Sequence, residues 1–192
     1  GDDWVNGGRA GARFFDGRDR LFGGPGNDRV QNGGTGVVSA SLGSGNDAFT
    51  IDSRFADPAN GGALADAFVD TEVTIDAGGG DDDILADAIA AAHATNVVGG
   101  SEDDELFVKI PDFPVANSFT QLNADVETLI VDNSGHGGEP GDVGVAWTLQ
   151  DGDILKARAF GAASGDVDVI STLGAELVRV IGSSLDDSLD VV

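Results

Sequence analysis

Gly24-Pro25-Gly26-Asn27-Asp28-Arg29-Val30 is followed downstream by Gly43-Ser44-Gly45-Asn46-Asp47-Ala48-Phe49, and then by Gly78-Gly79-Gly80-Asp81-Asp82-Asp83-Ile84. The shared form is Gly-x-Gly-(Asn/Asp)-Asp-x-apolar. Its glycines admit backbone with positive φ and leave the carbonyls uncovered. Two oxygen-bearing side chains follow at once, and the apolar residue two places later opens a strand. The phrase therefore predicts a tight turn, rich in oxygen donors, that delivers the chain into a buried β-strand.

Working outward, the last acidic residues of successive phrases form a ladder. Asp3, Asp28, Asp47, Asp82 and Asp104 lie 25, 19, 35 and 22 residues apart, and the next clear match, Asp187, is 83 further on. Irregular intervals of this size suggest stacked supersecondary units, each with its own turn. Apolar residues alternate beside the turns: Val38, Ala40, Leu42; Phe49, Ile51; Val73, Ile75, Ala77; Leu106, Val108, Ile110. Period-two alternation marks half-buried strands. The pattern predicts an all-β fold, a parallel β-solenoid of β-roll or β-helix type, forming one segment over residues 1–192. Inserted loops are expected near 53–70, 86–96, 111–120 and 133–144, with a helical turn at Ala63–Phe68 and a short Ala-rich helix within Asp87–Thr95.

Composition narrows the chemistry. A formal net charge of −24 argues against nucleic acid and anionic membrane surfaces, which demand basic patches. The acids are 28 Asp and only 6 Glu, a bias that suits turns holding a cation on short, stiff arms better than general solvation. A halophile-type acidic surface is the rival explanation. Hydrophobic residues at 41% are too many for a disordered acidic tail, and no apolar run is long enough for a membrane-spanning helix. Cysteine is absent, which excludes disulfides and thiolate metal sites. Methionine is absent too, and Gly1-Asp2-Asp3-Trp4-Val5 reads as a phrase cut after its first glycine, so a piece of a longer repeat protein, or a processed product, is expected.

Calcium takes about six to eight oxygen ligands from carboxylates and carbonyls. By that chemistry Asp28, Asp47 and Asp82 are the expected ligands, helped by Asn27, Asn46 and Asp81 and by carbonyls of Gly24, Gly26, Gly43, Gly45, Gly78 and Gly80. Asp2, Asp3, Asp103, Asp104, Asp186 and Asp187 are the candidates of the partial copies. Metal-free Gly/Asn/Asp turns are the plainer alternative. Asp151-Gly152-Asp153 and Gly165 to Asp168 read as plain solvated turns. Asp132-Asn133-Ser134 lacks EF-hand spacing and receives no site. His93 and His136 neighbour no nucleophile motif, so no catalytic residue is assigned. Five of the eight arginines lie between Arg9 and Arg29, among Trp4, Phe14, Phe15 and Phe22, where pairing with turn carboxylates is the simplest reading.

The phrase resembles the Gly-Gly-x-Gly-x-Asp-x-apolar-x nonapeptide of the RTX family, and Gly23 to Gln31 matches all nine positions. That resemblance implies a parallel β-roll with calcium between successive turns, in secreted bacterial toxins, proteases, lipases, S-layers or large adhesins. The copies depart from the family by not running in tandem. Glu102 and Leu185 also stand where the second glycine belongs. These departures favour a wider β-helix with about one site per coil.

The expected function is a calcium-stabilised structural or adhesive segment of a secreted or cell-surface protein, self-assembling into a layer or fibre, and not an enzyme. The expected partners are calcium, other copies of the chain and cell-surface glycans. The alternatives are a carbohydrate-binding repeat module of a glycan-active enzyme, or a β-helix polysaccharide lyase. The lyase would need a base such as Lys109, Lys156, Arg158 or Arg179 beside an aspartate cluster.

Overall fold

A computed structural model describes residues 1–9, 18–33, 37–52, 72–87, 94–109, 122–134, 143–150, 154–159, 168–171 and 174–192. Every described element is a strand. The first nine are β1 (Trp4–Arg9), β2 (Arg18–Pro25), β3 (Arg29–Gly33), β4 (Val37–Ser44), β5 (Ala48–Asp52), β6 (Glu72–Gly79), β7 (Asp83–Asp87), β8 (Ala94–Ser101) and β9 (Glu105–Lys109). They are followed by β10 (Leu122–Asp125), β11 (Thr128–Asp132), β12 (Val145–Gln150), β13 (Ile154–Ala159), β14 (Asp168–Ser171), β15 (Leu177–Ile181) and β16 (Ser188–Val191).

The strands sort into two sheets. One has seven strands in the order β1-β3-β5-β7-β9-β11-β15, parallel at every step. The other has nine, in the order β16-β12-β13-β14-β10-β8-β6-β4-β2. Its strands β2, β4, β6, β8 and β10 are parallel neighbours. β13 runs antiparallel to both β12 and β14, and β16 rejoins parallel to β12.

This corrects the expected fold class. The chain forms two large sheets, with parallel runs of the length usual in α/β proteins, rather than a β-solenoid over 1–192. The physical reason is that the repeated phrase specifies only the turn from one strand to the next. It says nothing of how the chain returns; the full phrase is last used at the turn into β7, and beyond β11 antiparallel pairing enters at β13. Residues 86–87 and 94–96, expected in a loop, belong to β7 and β8. The proposed helical turn at 63–68, and residues 88–93 of the Ala-rich segment, lie outside the described residues.

Alternation explains the packing. Val30, Phe49, Ile84, Leu106, Leu129 and Val178 stand in register across the first sheet and face inward. Leu21, Ala40, Ile75, Val97 and Ala124 do the same across the second. Together they form a single core, which Val145, Trp147 and Leu155 extend into the antiparallel leaf. Among the described residues, Phe49 is the largest fully buried side chain. Truncating such a ring costs about 3–5 kcal/mol, so this core sets the spacing of the turns that join the sheets.

Candidate metal-binding turn ladder

Four turns of three residues, 26–28, 45–47, 80–82 and 102–104, carry the chain from the nine-stranded to the seven-stranded sheet. Parallel pairing on both sides stacks them in register. The three full phrases and the partial copy ending in Asp104 are thereby brought into one column, with Asp2 and Asp3 at its head.

The second acid of each phrase points inward. Asp28 is 1% exposed, Asp47 3%, Asp82 1% and Asp104 1%. Each gives one oxygen to the turn before it. The Asp3 amide donates to Asp28 Oδ1 at 2.7 Å, the Asp28 amide to Asp47 Oδ1 at 2.7 Å, and the Asp47 amide to Asp82 Oδ1 at 2.7 Å. The Asp82 amide donates to Asp104 Oδ1 at 3.0 Å. The carbonyl of each of these residues accepts from the first strand residue of the next unit, as in Ala48 N to Asp28 O at 2.9 Å. The other oxygen, Oδ2, is buried without a hydrogen-bond partner in all four aspartates.

The first polar residue of each phrase forms an outer, exposed rail of opposite sense. Asn27 N donates to Asp2 Oδ1 at 3.0 Å and Asn46 N to Asn27 Oδ1 at 3.1 Å. Asp81 N donates to Asn46 Oδ1 at 3.4 Å and Asp103 N to Asp81 Oδ1 at 3.3 Å. The glycines permit this close stacking. At Gly43 (φ 116°) a Cβ would overlap the Gly24 carbonyl oxygen, and at Gly45 (φ 121°) the Gly26 carbonyl. Glu102 takes the second glycine's place at φ 79°. Its carboxylate accepts from Gly80 N at 2.8 Å and Ser101 Oγ at 2.9 Å.

Electrostatics follow from burial. Desolvation raises the Asp82 and Asp104 carboxyls to about 6. The amide bond each receives opposes the rise, and the neighbouring carboxylates, Asp47 and Asp82 respectively, add to it. Asp47 is raised for the same reasons, with Asp28 as its neighbour.

Donor chemistry decides what fits. Among the described residues no three acidic or histidine side chains converge. A cation here would draw on one inner carboxylate per turn, completed by backbone carbonyls and amide oxygens. The orphaned Oδ2 atoms of Asp28, Asp47, Asp82 and Asp104 fit that role: each is buried with no hydrogen-bond partner, and a cation would satisfy it directly.

The partial copies differ. Asp2 and Asp3 are exposed at the head of the column, and Asp103 is exposed on the outer rail. Asp186 is exposed, and Asp187 lies in a turn that runs the other way, from β15 to β16. One member escaped the sequence reading: Glu127, whose Oε2 accepts from the Asp104 amide at 3.0 Å. Its turn, 126–127, is one residue shorter, and the longer arm of glutamate spans the difference. The acid-x-apolar run Glu127-Thr128-Leu129 was its signal, without the glycines. Asp132 accepts from Ser134 N at 2.8 Å, a simple turn. Trp4, Phe22, Arg20 and Arg29 are all exposed near the head of the column. His93, His136 and the segments around Asp151 and Gly165 lie outside the described residues. Comparisons with protein-family models, curated proteins and solved structures yield no match.

Proposed function

We propose that this chain is a non-catalytic, calcium-stapled structural or adhesive segment of a secreted or cell-surface repeat protein. The observation that carries the reading is the column of four buried aspartates, each with one oxygen committed to an amide and the other unpartnered. An unsatisfied buried polar atom costs about 1–3 kcal/mol, and more when charged. Four in one column form a standing debit in the ion-free chain. Asp28, Asp47, Asp82 and Asp104 would hold the ions, with Asn27, Asn46, Asp81 and turn carbonyls completing the shells. Calcium supplies charge neutralisation and a link between stacked turns. Because the unfolded chain offers no such site, binding free energy becomes folding free energy. Such a segment stays loose where calcium is scarce and sets where calcium is plentiful, which suits export before folding. Assembly with other copies and attachment to surface glycans belong to the same reading.

The test is a calcium titration followed by far-UV circular dichroism, with magnesium as control, EDTA reversal, and elemental analysis of the untreated protein. A cooperative gain of β signal with calcium alone is expected. Full β structure in EDTA and no bound calcium would overturn the reading.

A further inference from the structure

Asp187 sits in the sequence as another copy of the phrase, and part of its geometry agrees. An ideal Cβ on Gly182, five residues upstream, would stand 2.7 Å from Asp187 Oδ2, just as one on Gly23 would stand 2.7 Å from Asp28 Oδ2. The two turns part at the next position, where Gly24 is replaced by Ser183. The Ser183 amide and hydroxyl both donate to Asp187 Oδ2, the hydroxyl at 2.9 Å. Asp187 Oδ1 accepts from Val145 N at 2.6 Å, and Leu185 N donates to Ser183 Oγ at 3.1 Å. The oxygen that is orphaned in Asp28, Asp47, Asp82 and Asp104 is thus fully supplied in Asp187. The turn also does different work. It leads from β15 in the seven-stranded sheet to β16 in the nine-stranded one, and through Val145 it clamps β12, the strand beside β16.

We propose that the Gly182–Asp187 turn is a metal-free staple, in which Ser183 replaces the cation, so that ion binding ends at the Asp104 turn and closure of β12 on β16 is independent of calcium. This rests on the calcium reading of the ladder and separates one turn from it. No charge needs neutralising by a metal, since three donors already converge on one carboxylate, and charge-assisted bonds of this kind are the strong ones.

The experiment compares the wild type with Asp47→Asn, Asp187→Asn and the milder Ser183→Ala. Calcium content is measured by elemental analysis, and melting by circular dichroism, with calcium and with EDTA. Asp47→Asn is expected to lose bound calcium. Asp187→Asn and Ser183→Ala are expected to keep the wild-type calcium content while melting lower, by about 2–8 °C, and by the same amount in both conditions. Fewer ions bound to Ser183→Ala, or to folded Asp187→Asn, would overturn the staple. A wild type devoid of calcium would overturn the ladder reading instead. The melts in EDTA then judge the staple alone, and variants melting with the wild type would sink it.

Discussion

At the scale of single residues, the turn glycines divide into two classes. Gly24 and Gly43 both have positive φ, but a Cβ on Gly24 meets nothing within 4 Å, whereas one on Gly43 overlaps the Gly24 carbonyl. Gly24→Ala is therefore expected to cost only the left-handed conformation, about 1–2 kcal/mol. Gly43→Ala adds a backbone clash and should cost several times more, read by urea denaturation in calcium. Glu102 shows the same strain offset by hydrogen bonds to Gly80 and Ser101. Glu102→Ala loses the bonds and keeps the strain, so it should destabilise by about 1–2 kcal/mol. Glu102→Gly loses both and should lie near the wild type. Asp82→Asn keeps an amide-accepting oxygen and removes a buried charge. It should raise the melting temperature in EDTA and lower the calcium affinity, an opposition that simple damage to the fold would not produce.

The raised carboxyls also fix a pH dependence for the ion-free chain. Asp82 and Asp104 bind protons in the folded state up to about pH 6, whereas a free aspartate side chain releases its proton near 3.8. The folded state therefore holds more protons than the unfolded one within that window, and stability falls as pH rises through it. In EDTA, melting should occur at a higher temperature near pH 4.5 than at pH 7. Saturating calcium should flatten or reverse that slope, because the ion takes the place of the proton. Thermal melts across that range, with and without calcium, check both statements.

At the scale of elements, the turn-and-strand unit was legible and the pairing was not. Gly-x-Gly-Asn-Asp set each turn to three residues, and alternation such as Val73, Ile75, Ala77 correctly marked the inward face. The sequence pattern could not say that consecutive strands from β1 to β12 belong alternately to the two sheets, because alternation is the same whichever neighbour a strand finds. The antiparallel leaf was invisible for the same reason: Ile154 and Leu155 pair with Ser171 and Ile170 through backbone groups that carry no sequence signature. The site was half legible. The sequence named the aspartates that the fold stacks into one column, but the commitment of each Oδ1 to an amide rather than to a metal depends on register, and Glu127 was hidden by the missing glycines. Glu127 closes the column, since its carbonyl accepts from both Glu176 N and Leu177 N. Glu127→Ala should expose the Asp104 amide and loosen β15. It should speed hydrogen exchange at Leu177 and Val178 while leaving Val30 protected.

At the scale of the whole molecule, the two rails give the stacked turns a mechanical character. Pulled along the stacking direction, successive turns bear the same load in series, so the joint at which both rails are lengthened is expected to yield first. The inner rail holds at 2.7 Å from Asp3 to Asp82, then lengthens to 3.0 Å at Asp104 and at Glu127. The outer rail lengthens from 3.0 Å at Asp2 to 3.4 Å at Asn46 and 3.3 Å at Asp81, so the joint between the Asp82 and Asp104 turns is the one where both rails are long. Under tension the stack should part first near Asp104, leaving the turns from Asp3 to Asp82 intact. The same joint carries an unpartnered carboxylate, so an ion bound there would raise the rupture force most. A segment of this design would act as a tether whose first point of give is set by dissolved calcium, and single-molecule pulling with and without EDTA would read that directly as a shift of the earliest rupture event.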